Sequence, residues 1–497
     1  MKGEMQKSIG RRQALFIVLL LFVVSILLRL PNINRPLSKH HEYNSAVILV
    51  NIESWRQAGG GYRFHYVPLL NYQNPGDKCP QDLPNIDSSG NILYLSFGPG
   101  WYVIPYFIYQ VFHLPVEPVY LQVINLFFNL AAVILLFLLC ERLFDASQPR
   151  RYQSILLACF LFMFSPGILW YLGNGYVTTG IMMPFVIAAL LLLIPMLQSA
   201  DNIRTSRLIF LFLLIIVLVY IDWFVLFLSA VSSVYILFKI RKDKRYLPLL
   251  FAMAIACITA ITILFIQFAS YAGMDNLMKT LLFRFTGRSI VNTGDPFIVR
   301  VGSIVKNIVT SYFPLLLLLL LSLAVVFFKK VRTSFTAPEI TFLVIYAPAV
   351  LLYNLILTEW SAVHEFALIP LSILLVIVAT RLIITLAANR VFYGVIATYF
   401  VIACCQYYFI NRPGKVSWDG TPFDIYKKLG QQVQQVPADY KLFMNNWNAV
   451  IDVYAHRNIT PVVNIDSARA YMHRYNIPKA VWIDHRNYQL QKIVILR

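Results

Sequence analysis

His40, His41 and Glu42 stand together in the stretch Arg29-Leu-Pro-Asn-Ile-Asn-Arg-Pro-Leu-Ser-Lys-His-His-Glu-Tyr-Asn-Ser-Ala46. A carboxylate with imidazole neighbours is equipped for general acid–base work. The histidines could orient it, relay its proton or join it around a divalent cation. The stretch follows directly on the apolar run Ala14 to Leu30, which puts the three residues just outside a bilayer. Ionisable groups set against membrane helices mark substrate paths and reacting centres, because burial shifts their pKa values and demands partners. Glu42 is therefore the first candidate for a catalytic base, and the competing reading of His-His-Glu is a solvated helix start.

Other residue sets could serve such a centre. Thr358-Glu-Trp-Ser-Ala-Val-His-Glu365 places His364 and Glu365 at the end of a later apolar run, with Pro370 just inside it. A proline within a membrane helix frees a backbone carbonyl and bends the helix where a cavity is lined. The alternative there is an interfacial anchor at Trp360. Arg284, Arg288, Arg300 and Lys306, with Arg63 and Lys78 in an earlier polar segment, form a cationic set. It suits a lipid phosphate or pyrophosphate, or plain headgroup contact. Asn174 and Tyr176, and Asp222 beside Trp223, are groups of the kind that hydrogen-bond a sugar. Asn458-Ile-Thr460 has the spacing of a glycosylation acceptor. Cys79 lies in a long polar segment, the other cysteines lie in or beside apolar runs, and no metal-binding spacing occurs, so neither a disulfide framework nor a zinc site follows.

The elements that must position these residues are membrane helices. A chain of 497 residues that is 59% hydrophobic and 13% charged cannot present a soluble surface. Its apolar runs approach the ~20 residues needed to cross the hydrocarbon core. Eleven are read as spans, at about 12–30, 120–141, 153–171, 177–197, 206–221, 223–240, 247–269, 309–328, 340–357, 365–386 and 391–410. The net charge of +19 sits in short connectors, as membrane topology requires, so nucleic-acid binding is discounted. The first run lacks a small-residue cleavage site and reads as a retained helix. A further run, 94–112, is decided by charge: only if it does not cross do the basic connectors share the side of the basic N-terminus. It reads as a juxtamembrane helix whose Trp101, Tyr102, Tyr106 and Tyr109 prefer the headgroup level. The outer face then receives the first loop 31–118, the loop 270–308, the turn before Glu365 and the tail, so any chemistry is expected there. The membrane domain, residues 1–410, gives way to a tail, 411–497, that reads as a small α/β unit. Its helices are expected at Phe423–Val436 and Ser467–Tyr475, and its strands at Lys441–Met444, Thr460–Ile465, Ala480–Ile483 and Lys492–Leu496.

Several of these segments carry a family resemblance. Arg29-Leu-Pro31 followed by His-His-Glu-Tyr43, the stretch Ser96-Phe-Gly-Pro-Gly-Trp101, a second helix ending Glu141-Arg-Leu-Phe144, and the late His364-Glu-Phe366 turn are the residues concerned. Together they resemble the C superfamily (GT-C) of membrane glycosyltransferases, family 39-like, related to protein mannosyltransferases and the lipid A aminoarabinose transferase. The resemblance implies an α-helical polytopic fold and two juxtamembrane helices in the first loop. It also implies an inverting transfer of a sugar from a polyprenyl-phosphate carrier to a glycan, lipid or protein acceptor. The family's first loop carries Asp-Glu; here His41 falls in the Asp slot and Glu42 in the Glu slot, so Glu42 is left as base or the activity is lost. Asn174 falls where the family has a second acidic residue, which leaves a divalent cation open. His364 matches the family's late-loop histidine, and since the family holds the donor phosphate with Arg or Lys from outer loops, the resemblance implies Arg284 and Arg288 as candidates for that role. The competing classes are a transporter or flippase for lipid-linked glycans and a catalytically inactive scaffold. The expected location is a bacterial inner membrane, with the N-terminus cytoplasmic and the tail periplasmic.

Overall fold

The computed structural model describes residues 9–37, 41–80, 85–148, 150–291, 294–329, 335–386, 389–411, 422, 424–445, 449–486 and 489–496. The helices in chain order are α1 (Arg11–Arg29), α2 (Tyr43–Gln57), α3 (Gly100–Val111), α4 (Pro118–Leu143), α5 (Arg151–Met163), α6 (Pro166–Tyr171), α7 (Thr178–Gln198), α8 (Thr205–Ile221), α9 (Phe224–Ile240) and α10 (Leu247–Ala272). They continue with α11 (Met274–Arg288), α12 (Phe297–Lys329), α13 (Ala337–Ile356), α14 (Thr358–Val363), α15 (Ile369–Leu386) and α16 (Asn389–Asn411). The C-terminal unit adds α17 (Asp424–Val433), α18 (Ala449–Ala455), α19 (Ile465–Tyr475) and strands β1 (Lys441–Met444), β2 (Ile459–Pro461), β3 (Ala480–Arg486) and β4 (Gln489–Leu496).

The protein is an integral membrane protein. Among the described residues, seven segments, built on α1, α4, α7, α10, α12, α13 and α15, are long and apolar enough to cross a bilayer, and α5, α8, α9 and most of α16 are shorter apolar helices. These are the eleven segments expected from hydropathy. α4 and α7 pair at the centre, and α8, α13 and α15 also pack against α7. Phe210 on α8, Ile258 and Ile266 on α10, and Phe327 and Phe328 on α12 are exposed, which marks the lipid-facing sides.

Two expectations about the loops are corrected. The 94–112 run is helical only over α3, whose twelve residues span about 18 Å and cannot cross a ~30 Å core. Its rings at Trp101, Tyr102, Tyr106 and Tyr109 are buried in protein, while Phe107, Val111 and Phe112 face outward. The aromatic stripe is thus packing material and not an interfacial belt. The segment 270–308 is not a loop: it contains α11 and the first turns of α12, so Arg300 and Lys306 lie on α12.

The tail forms a four-stranded sheet ordered β2-β1-β3-β4, with β1 parallel to β2 and β3, and β4 antiparallel to β3. Strand alternation sends Phe443 and Trp482 to one face, against Ala468 and Met472 of α19. Leu442, Met444, Val481 and Ile483 on the other face join the core shared with the membrane helices. The tail departs from expectation in one helix and in several boundaries. Helix α18 was not anticipated, β2 ends at Pro461, and Ile465 opens α19 instead of closing a strand. Asn458 is buried, and its N–H donates to Asp77 Oδ1, which leaves no room for a glycan.

Candidate active site on the first loop

The first loop leaves α1 through a buried guanidinium. Arg29 Nε donates to the Leu169 carbonyl at 2.8 Å and Nη2 to the Ile168 carbonyl, fixing the end of α1 against α6. Gly173 lies so close that a Cβ there would sit 2.5 Å from Arg29 Cδ. Beyond the turn, Asn32 Nδ2 donates to Tyr407 Oη and Gln122 Nε2 donates to the Asn32 carbonyl. Arg35 Nε then donates to Asn32 Oδ1 at 2.9 Å.

Arg35 is the partner of Glu42. Its Nη1 and Nη2 reach Oε2 and Oε1 at 2.9 and 2.7 Å in a bidentate fork, and the guanidinium lies 5.5 Å from the Trp170 ring. The Glu42 side chain is fully buried. A carboxylate with both oxygens accepting from a fixed guanidinium braces the loop, because the bidentate pair holds its charge and its geometry.

His41 occupies the other side of this turn. Its backbone is left-handed, with φ of 56°. Its half-buried ring lies 5.7 Å from His364, 5.5 Å from Phe366 and 6.0 Å from Tyr171, centroid to centroid. Asn125 holds the Tyr171 turn by donating to the Tyr171 and Gly175 carbonyls, and Tyr171 Oη donates to Glu365 Oε2. Thr179 Oγ1 donates to the Phe366 carbonyl, so α7 fixes the late turn. His364 packs on Trp360 at 4.1 Å. Burial holds its imidazole well below the ordinary histidine pKa, with His41 and Arg288 adding to the effect, so it is neutral at pH 7.

Arg288 completes the group. Its guanidinium stacks 4.5 Å from the Trp360 ring, and Nη1 is buried without a hydrogen-bond partner. Burial, then the neighbouring Arg284, lowers its pKa. Both arginines line a cavity of about 390 Å³ whose other walls include Phe97, Leu226, Phe265 and Phe285. Trp360 is itself fixed by its Nε1, which donates to Tyr353 Oη, and Tyr353 lies 3.4 Å from Asp222 Oδ1. Burial pushes the Asp222 carboxyl up to about 6, against hydrogen bonds from Phe224 N and Tyr353.

The structure thus brings together His41, Glu42, Arg284, Arg288, His364 and Glu365. It does not bring the rest. Arg63 is exposed past the far end of α2, about 20 Å of helix from Glu42. Asn174 is buried beside Tyr407. Tyr176 is buried, and its N–H donates to Ser45 Oγ, which ties its turn to α2. Arg300 donates to the Ser289 and Ile290 carbonyls after α11. His40 lies outside the described residues. Sequence reasoning missed Arg35, Tyr171 and the Asp222–Tyr353 support of Trp360; the available signal was an arginine seven residues before an acidic partner. A divalent cation does not fit this cluster. Arg35 occupies both Glu42 oxygens, and among the described residues no three His, Cys, Asp or Glu side chains are placed to hold a metal ion.

The bundle, with a braced first loop, a short α3 and a C-terminal unit packed on that loop, shares its fold with two solved proteins. ArnT from Cupriavidus metallidurans, solved bound to undecaprenyl phosphate, superposes with a TM-score of 0.62 at 12% identity, over 97% of this chain and 98% of that one. The same protein in its apo state gives a TM-score of 0.56 at 10% identity over 94% and 93%. The archaeal oligosaccharyltransferase AglB from Archaeoglobus fulgidus, solved with an inhibitory peptide and a dolichol-phosphate, gives 0.53 at 14% identity over 94% and 69%. No protein-family model and no curated protein matches the sequence.

Proposed function

We propose that this chain is an inverting glycosyltransferase that moves a sugar from a polyprenyl-phosphate carrier to an acceptor hydroxyl on a glycan, lipid or protein. The observation that carries the reading is the apolar cavity whose charged lining residues are Arg284 and Arg288, with Trp360 in its wall and His364 packed on Trp360. Apolar walls suit a prenyl chain, and two arginines suit its phosphate. The lipid carriers bound to ArnT and AglB are of that chemistry.

In this mechanism the acceptor oxygen attacks the anomeric carbon as its bond to the phosphate oxygen breaks. The polyprenyl phosphate leaves with the electron pair, and Arg284 and Arg288 offset its charge. His41 takes the acceptor proton, since Glu42 is committed to Arg35 while the His41 ring faces the late turn. Neutral His364 orients the His41 imidazole and the acceptor. The basic connectors are assigned to the cytoplasmic side, and the first loop and C-terminal unit 411–497 to the periplasmic side of a bacterial inner membrane.

The test is sugar transfer in membranes supplied with radiolabelled polyprenyl-phosphate sugars, followed by extraction of labelled lipid, glycan and protein. His41→Gly suits the positive φ, so the backbone stays in place while a space the size of imidazole opens. Wild-type transfer, at least ~100-fold loss in His41→Gly, and partial recovery with added imidazole are expected. Transfer by His41→Gly at the wild-type rate would remove His41 as the base. Absence of transfer from any donor by the folded protein would leave the inactive scaffold.

A further inference from the structure

Among the described residues from Asn32 to Leu37, the first loop is anchored both by membrane helices and by the C-terminal unit. From the membrane helices, Tyr407 accepts from Asn32, Gln122 Nε2 donates to the Asn32 carbonyl and Gln122 Oε1 accepts from the Asn34 N–H. From the C-terminal unit, Tyr454 Oη accepts from the Leu37 N–H at 2.8 Å, across 417 residues of sequence. Tyr454 stands on α18, which packs against α2, the helix that Glu42 opens. Its hydroxyl is close enough to Arg35 and Glu42 to feel both charges.

The unit that carries Tyr454 is held down independently. Arg457 Nε meets Asp77 Oδ1 at 3.1 Å with both side chains buried, and Gly76 N donates to the Ala438 carbonyl. A Cβ on Gly76 would fall 2.2 Å from the Tyr440 carbonyl oxygen, so the backbones touch. Lys441 Nζ donates to the Lys78 carbonyl. Tyr454 is therefore presented to the loop by a docked body and not by a swinging tail.

We infer that Tyr454 is a positioning residue: through its bond to Leu37 it holds the Arg35–Glu42 brace and sets where His41 stands. The C-terminal unit then belongs to the catalytic assembly. The catalytic consequence rests on the glycosyltransferase reading above; the coupling itself does not.

The test uses the purified full chain and Tyr454→Phe, which keeps the ring and removes the acceptor. Hydrogen exchange is followed in peptides covering 33–44, beside sugar transfer. The expected result is about tenfold faster exchange over 33–44, unchanged exchange over β1 and β3, and a kcat lowered about tenfold with donor KM within twofold. A merely structural loss would raise exchange in the sheet as well, and that result overturns the inference. Unchanged exchange over 33–44 also overturns it, whatever the transfer assay gives, and so does faster exchange with unchanged kcat. If the wild type transfers no sugar, the glycosyltransferase reading fails while the exchange data still decide the coupling: faster exchange over 33–44 upholds it and unchanged exchange overturns it.

Discussion

At the scale of residues, Glu42 is fully buried against a nearly buried Arg35 in the first loop. Removing one member of a buried pair leaves a desolvated charge and costs about 3–5 kcal/mol. Glu42→Gln should therefore lower the thermal midpoint of the detergent-solubilised protein clearly, whereas His41→Gly should leave it close to wild type. A Glu42→Gln variant with wild-type stability and no transfer would return the role of base to the carboxylate. Asp222 allows a second prediction. Its folded pKa, about 6, lies above the ordinary aspartate value because burial favours the neutral form. Its favourable contribution is present below pH 4 and lost as pH rises through about 6, by roughly 3 kcal/mol. Asp222→Asn keeps an acceptor for the Phe224 N–H and cannot titrate. Its midpoint relative to wild type should rise between pH 4 and 7, and parallel profiles would refute the shift.

At the scale of elements, α3 and α8 meet through glycine. A Cβ on Gly98 would fall 2.2 Å from the Tyr220 carbonyl oxygen, and one on Gly100 2.6 Å from it. Only a bare backbone allows α3 to begin there, which is why the Gly-Pro-Gly turn precedes it. Gly98→Ala should reduce the monodisperse yield and the thermal midpoint. Gly302→Ala, on α12 with open space around its Cβ, should be neutral or stabilise by about 0.5–1 kcal/mol. Equal behaviour of the two variants would show that the close approach is not real.

At the scale of the whole molecule, the C-terminal unit is clamped to the first loop by Arg457, which also donates to the Val436 and Pro437 carbonyls. Burial raises the Asp77 pKa, and Arg457 is the principal influence opposing that rise. Arg457→Ala should strand Asp77 and loosen the unit. Trypsin should then release a fragment containing 424–496 at least tenfold faster, an effect of the ~3 kcal/mol class expected for a broken buried pair. Wild-type cleavage rates would mean that the shared apolar core, with Leu442, Met444 and Val450, holds the unit without the ion pair.

The sequence by itself determined the eleven apolar segments, the non-spanning character of 94–112, the core of each tail strand and the resemblance to a membrane glycosyltransferase. All of these depend on local composition, length or short motifs, which a bilayer reads residue by residue. It also put His41, Glu42, Arg284, Arg288, His364 and Glu365 in one set, together with His40, Arg63, Asn174 and Tyr176, because all fall in segments expected on the outer face. Only the tertiary structure decided what each member does. That Glu42 turns inward to Arg35 while His41 faces His364 follows from one left-handed residue, and a two-letter motif does not encode which neighbour faces inward. That the rings of α3 face protein instead of headgroups depends on what covers them. The bonds from Leu37 to Tyr454 and from Asp77 to Arg457 join residues 417 and 380 positions apart. Such pairings carry no periodic or local signal, since they exist only once packing has brought two separately formed units into contact.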